Sequence, residues 1–173
     1  MTKAGYYRFC DRCVQALFPL AMGLCAAMLV VAIAHVVMRY VFNDALTWSE
    51  EFLRFTMVWF TLVSAAILHN KKGHVGIIIF RDMFPDGLRA ACIRIIPVLA
   101  VIATASVTYN GILLLFRTYR QLTPALGVSV AIPYAAIPFG FFFMTLFGIA
   151  HVLELTLGDT VPPRESLPYS EKE

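Results

Sequence analysis

Trp48-Ser49-Glu50-Glu51-Phe52-Leu53-Arg54-Phe55 runs straight into an apolar segment that ends near His69. Charged and amphipathic groups leading into a membrane-length hydrophobic run mark a helix end at a water–lipid boundary. At about 100° per residue, Trp48, Phe52, Phe55 and Trp59 form one aromatic stripe. Glu50, Arg54, Met57, Thr61 and Ser64 form another on roughly the opposite side. Glu50 precedes Arg54 by four positions, the favourable order for an ion pair on a helix. Both faces of such a helix call for a neighbour.

Working outward, composition sets the class. Apolar residues are 60% of the 173-residue chain and charged residues 14%, with a mean hydropathy of +0.75. A soluble domain carries roughly a quarter charged residues and under half apolar ones, so the chain reads as an all-α integral membrane protein. A formal charge of +3 is too small and too dispersed for a nucleic-acid partner. The length suits one membrane domain spanning residues 1–173, with no room for a separate soluble domain.

Four spans are expected. The first runs from Val14 to Met38, behind a polar N-terminal segment of residues 1–13 that holds Lys3, Arg8 and Arg12. At ~1.5 Å per residue it crosses a ~30 Å hydrocarbon core. It is too long for a signal-peptide core and lacks a convincing cleavage site, so it reads as retained. Arg39 to Asp44 form a turn, and the second span covers Phe52 to about Leu68. His69-Asn70-Lys71-Lys72-Gly73-His74 closes it. Val75 to Phe84 is apolar but too short to cross, so a short interfacial amphipathic segment is expected between the second and third spans, with Lys71, Lys72 and Arg81 at phospholipid headgroups. The third span, about Ile95 to Phe116, places Ala100, Ala103, Thr104 and Gly111 on one small-residue face. The fourth runs from about Ala131 to Leu157, with Pro133, Pro138, Gly140 and Gly148 inside it. Pro138 and Gly140 are where it could unwind. Residues 158–173 form a polar tail.

Ten of the lysines and arginines fall in the N-terminus, the middle loop and the tail, against four in the other two loops. The positive-inside rule then puts both termini in the cytoplasm. Charged residues lie near span ends, and the mid-depth polar residues Thr61, Ser64, Thr104, Ser106 and Thr145 suit contacts between helices. No catalytic, cofactor or metal site emerges.

Arg39-Tyr40-Val41-Phe42-Asn43, Trp48-Ser49-Glu50-Glu51 and Lys71-Lys72-Gly73-His74-Val75 together resemble the small membrane (Q, DctQ-like) subunit of the tripartite ATP-independent periplasmic (TRAP) transporters. Gln121-Leu122-Thr123-Pro124-Ala125-Leu126-Gly127, Ile132-Pro133-Tyr134 and Pro138-Phe139-Gly140 resemble the second half of the same family. The resemblance covers roughly Arg39 to Gly140, and the order of these elements is more specific than any one of them. It implies a small permease subunit in the bacterial inner membrane, part of a secondary active, sodium-driven importer of acidic solutes of the C4-dicarboxylate or sialic acid class. The implied partners are a separate large permease (M) subunit, paired as a heterodimer, and a periplasmic substrate-binding protein. The implied role is a fixed brace around the moving part of the large subunit, with a share in docking the binding protein. No cofactor is implied.

Arg39, Trp48, Glu50, Glu51, Arg54 and Trp59 are the candidate partner or lipid interface. Glu50, Glu51 and Arg54 have two readings, a partner contact or hydrated headgroup-level charge. Arg39 is the expected intrachain partner of Glu51, and a basic residue on the large subunit is the alternative. The rival reading of the chain is a haem- or quinone-associated membrane anchor of a respiratory complex, for which His69 and His151 would supply two imidazoles at matching depth. His35 lies at the other end of its span. A generic assembly or lipid-binding subunit is a third possibility. Cys10 and Cys13 have a metal- or redox-like spacing, but without a second pair they read as a reduced cytoplasmic pair. Cys25 and Cys92 read as small packing residues.

Overall fold

Long apolar runs in a chain with no water to satisfy their backbone must close their hydrogen bonds within each segment, which selects helices. A computed structural model describes residues 3–44, 46–70 and 86–157. Five helices occur there: α1 (Lys3–Tyr40), α2 (Thr47–Asn70), α3 (Asp86–Thr118), α4 (Ala131–Tyr134) and α5 (Ala136–Leu157). Four stretches are long and apolar enough to cross a membrane: Arg8–Tyr40, Thr47–Asn70, Ile95–Thr118 and Ala131–Leu153. The interfacial segment expected at Val75–Phe84, with Lys71, Lys72 and Arg81, lies outside the described residues, as does the tail from residue 158.

The polar N-terminal segment is itself helical. α1 starts at Lys3 and runs 38 residues, about 57 Å at ~1.5 Å per residue. No proline interrupts its start, and its first turns are held from the side. The Tyr6 hydroxyl donates to the Leu146 carbonyl at 2.8 Å, and Cys10 and Val14 are buried. α1 ends with Asn43 in the left-handed region at φ +53°, and the Asp44 N–H returns to the Met38 carbonyl at 3.1 Å.

The fourth span is interrupted near its start, among its prolines. α4 and α5 are separated by Ala135, itself near helical geometry at φ −61°, ψ −23°. The break lies one turn before Pro138, which has no N–H for the Tyr134 carbonyl, so the interruption expected near Pro138 falls at Ala135. Gly140 serves a close approach instead: a Cβ there would meet the Leu62 Cβ at 2.9 Å. On α3, Gly111 plays the same part, since a Cβ would stand 3.1 Å from Pro138 Cδ. Ala100 and Thr104 lie half-buried on that face, whereas Ala103 is exposed and does not belong to it.

The spans pack side by side in the order α1, α2, α5, α3, with α5 between α2 and α3. At the end where α1 begins and α5 finishes, α1 also reaches α5. Three helices meet there, and there the core forms: Cys10, Val14, Leu17 and Ala21 from α1, Val63, Ala66 and Ile67 from α2, Phe147 and Ala150 from α5. An aromatic ladder connects this core to the opposite end. Trp59 stacks on Phe139 at 5.5 Å, Phe139 meets Phe143 at 5.0 Å, and Phe143 meets Phe147 at 6.1 Å. Phe139, Phe143 and Phe147 are spaced by four, so one face of α5 carries all three rings.

Candidate partner interface

Thr123-Pro124-Ala125-Leu126-Gly127 closes a single helical-type turn, with the Gly127 N–H on the Thr123 carbonyl at 3.0 Å and Gly127 at φ +64°. One turn of this kind leaves its first N–H groups without intrachain acceptors nearby. Glu51 supplies them. Its carboxylate accepts from the Ala125 N–H at 3.1 Å and from the Leu126 N–H at 2.9 Å. An ionised carboxylate, an acceptor at both oxygens, suits two successive amides. The Thr123 hydroxyl and the Arg54 guanidinium also act on this carboxylate. Around the turn, Thr123 and Val128, then Gln121 and Val130, pair through their backbones at 2.8 and 2.9 Å. The Ser129 hydroxyl donates to the Tyr119 carbonyl at 2.7 Å. The connection between α3 and α4 is thus a small tied hairpin pinned to the start of α2.

Arg39 is not the partner of Glu51. Its guanidinium lies 6.0 Å from the Tyr40 ring centroid instead, and backbone amides satisfy the carboxylate. The α1–α2 corner is held by another residue of the opening stretch. Ser49 is completely buried and donates its only hydroxyl hydrogen to the Leu46 carbonyl at 2.7 Å. The His35 Nδ1–H therefore donates to the Ser49 oxygen, which assigns the hydrogen to Nδ1. Neither the Glu51 clamp nor the Ser49 relay follows from helix periodicity, because both join segments distant in sequence.

The two stripes of α2 have separate fates. The aromatic stripe turns toward the rest of the chain. Trp59 donates its indole N–H to the Ile132 carbonyl at 3.1 Å and stacks on Phe139. Phe52 and Phe55 are half-buried, and Trp48 sits edge-on to Phe52 at 6.3 Å while remaining 41% exposed. The other stripe faces outward: Glu50, Arg54, Met57 and Thr61 are exposed and Ser64 is half-buried. The Glu50–Arg54 pairing suggested by their spacing does not form an ion pair among the described residues.

His69, half-buried, packs against α5. A Cβ at Gly148 would lie 3.4 Å from His69 Nε2 and 2.8 Å from Val101 Cγ2. Gly148, three residues before His151, thus lets Val101 of α3 and the His69 side chain of α2 come close to the α5 backbone.

Four membrane-length helices in a row mark a multi-pass membrane protein. A family model described as "Tripartite ATP-independent periplasmic transporters, DctQ component" matches residues 28–158. The chain belongs to this family and is part of a transporter permease rather than an enzyme. It is 27% identical over 142 residues to the sialic acid TRAP transporter small permease protein SiaQ of Vibrio cholerae, covering 80% of this chain and 82% of that protein. It is 30% identical over 117 residues to the C4-dicarboxylate TRAP transporter small permease protein DctQ of the same organism, covering 68% and 46%. It is also 26% identical over 104 residues to the isethionate TRAP transporter permease protein DctMQ of Oleidesulfovibrio alaskensis, covering 59% of this chain and 16% of that longer protein. Small permease subunits of this family work with a large permease subunit and a binding protein. Family membership sets aside the haem- or quinone-associated anchor.

Proposed function

We propose that this chain braces a separate large permease subunit in a sodium-driven, binding-protein-dependent importer of acidic solutes. The observation that carries this reading is the row of helices. α5 has neighbours on both sides, whereas α1 and α3 each flank the row and expose long apolar faces, including Leu29, Val30 and Ile33 on α1 and Leu99, Ile102 and Phe116 on α3. A one-layer slab offers broad surfaces to lipid and to a partner, and encloses little. The ionisable side chains described lie toward the helix ends, whereas a coupling-ion or anion site calls for such groups or broken helices near mid-membrane. The solute and sodium sites then belong to the large subunit. The relatives' names support a C4-dicarboxylate or sialic acid class of solute.

The placement that fits is the bacterial inner membrane with both termini cytoplasmic, following the lysine and arginine distribution. The hairpin end then faces the binding protein. Arg39, Arg117, Arg120 and the exposed Tyr40, Phe42, Tyr119 and Leu122 cluster at that end and give docking a polar and aromatic surface. Lys71, Lys72 and Arg81 remain the proposed phospholipid headgroup contacts.

Reconstitution tests the reading. Liposomes with this chain alone should take up neither sialic acid nor succinate. Those with both membrane subunits, the cognate binding protein and an inward sodium gradient should accumulate one of them. Uptake by this chain alone, or accumulation indifferent to sodium, would reject the proposal. Thiol labelling of Gln121→Cys, but not Thr2→Cys, by an impermeant reagent on intact cells with a permeabilised outer membrane would support the orientation. The reverse pattern would overturn it.

A further inference from the structure

We infer that the connection between α3 and α4, residues 119–130, receives an acidic patch of the binding protein, and that Glu51 is the residue that positions it. This rests on the importer and orientation proposed above, and adds which element meets the partner, by what chemistry, and what holds it in place.

A loop that only joined two helices would need no ties of its own. This one has an inner and an outer side. Thr123 is buried, and Leu126 and Val128 are half-buried. The Val128 N–H donates to the Thr123 hydroxyl at 3.3 Å, and the Ala131 N–H to the Ser129 hydroxyl at 3.2 Å. Those bonds shape the loop from within, and the Glu51 carboxylate joins it to α2. The outer side carries Arg120, Gln121, Leu122 and Pro124, all exposed. Leu122 keeps 69% of its surface exposed although it bridges to Ser129. A segment whose backbone is satisfied internally, with its apolar and aromatic side chains outside, loses little freedom when a partner covers it.

Charge names the chemistry of that partner. No aspartate or glutamate occurs between Asp86 and Glu154, so Arg117 and Arg120 have no acidic counterpart on this stretch. Glu51 is the carboxylate that approaches, and both its oxygens are taken by the Ala125 and Leu126 amides, with Arg54 acting on it from α2. Arg120 donates its Nε–H to the Tyr119 hydroxyl at 2.7 Å, and its guanidinium lies 5.4 Å from that ring's centroid. The tyrosine restrains the guanidinium and leaves its terminal N–H groups for a carboxylate. Exposed arginine and tyrosine beside an apolar side chain are what protein interfaces favour. At the corner between α1 and α2, by contrast, Asp44 follows Arg39 within five residues and offsets it.

The test uses liposomes holding both full-length membrane subunits, an inward sodium gradient and solute-loaded binding protein at increasing concentration. For Arg120→Glu, the binding-protein concentration giving half-maximal uptake should rise about tenfold with the maximal rate unchanged. Arg120→Gln, which removes the charge without reversing it, should raise it about threefold and serves where the reversal impairs assembly. Glu51→Gln should also raise it about threefold at an unchanged maximal rate, the split expected of a residue that positions a docking element and takes no part in the transport step. Added salt should raise it for the wild type and much less for Arg120→Glu. A photo-crosslinking phenylalanine analogue at Leu122 should give an adduct with the binding protein, and one at Phe9, exposed at the opposite end, should give none. Co-purification of the large subunit with each variant separates lost docking from lost assembly. A lowered maximal rate at unchanged half-saturation, or Leu122 adducts with the large subunit only, would overturn the assignment and leave the importer standing. Wild-type uptake indifferent to the binding protein rejects the importer, and the assignment with it.

Discussion

The two ends of the helix row are held together by different forces. At the end where α1 begins and α5 finishes, α1, α2 and α5 converge on a packed cluster that includes Cys10, Val63, Phe147 and Ala150. At the hairpin end α1 leans on α2 alone, Tyr40, Val41 and Phe42 are exposed, and defined hydrogen bonds make the long-range joins. Glu51 holds the hairpin, Ser49 holds His35, and Trp59 holds Ile132. Lipid is as apolar as a leucine side chain, so exclusion from solvent cannot drive helices together within a bilayer. Shape can, where three helices meet. Where only two meet, and water is near, polar contacts fix the geometry. The packed end therefore suits a rigid platform, and the tied end an adjustable surface.

The largest effect should come from Phe147→Ala. This ring is buried to 1% exposure and ends the aromatic ladder, so its removal opens a cavity costing about 3 kcal/mol. Reversible unfolding in mixed micelles measures the loss. A change below that of the hairpin-end substitutions would erase the contrast between the ends. Gly140→Val follows, because the added Cβ would stand 2.9 Å from Leu62 Cβ and 3.2 Å from the Leu62 carbonyl oxygen. Overpacking of this kind costs about 1–3 kcal/mol, read in the same assay, and should not be relieved by Leu62→Ala, because alanine keeps the Cβ and carbonyl that the added group meets.

Ser49→Ala sharpens the comparison from the other side. It deletes one buried hydroxyl and leaves His35 Nδ1 without its acceptor, a loss of about 1 kcal/mol. The imidazole proton resonance of His35 should shift with it, while signals from Phe147 stay in place. Glu51→Gln should have the smallest global effect and the most local one. Neutral amide oxygen is a weaker acceptor than carboxylate, so hydrogen exchange at the Ala125 and Leu126 amides should rise about five- to tenfold. Unchanged exchange there would mean that the hairpin holds its shape without α2.

Much of the fold is legible in the sequence because membrane spans are local. Length, hydropathy and the turn at Arg39–Asp44 suffice to place four helices, and each closes its own hydrogen bonds regardless of its neighbours. The same locality explains the misplaced details. The N-terminal segment looks polar, but helicity passes through Lys3 to Arg12 because Tyr6 and Cys10 find partners on another helix. Pro138 interrupts the fourth span a turn earlier, at Ala135, whereas Gly140 is there for Leu62.

By itself the sequence determined an all-α membrane protein with four spans, a two-faced second helix and a recognisable set of family motifs. Only the tertiary structure decided which face of that helix is engaged within the chain and which is left outward. It also decided that Glu51 holds a loop more than seventy residues away instead of Arg39. Periodicity fixes direction around one helix axis, whereas a contact depends on the order in which helices pack, and that order, α1–α2–α5–α3, is written in no single segment.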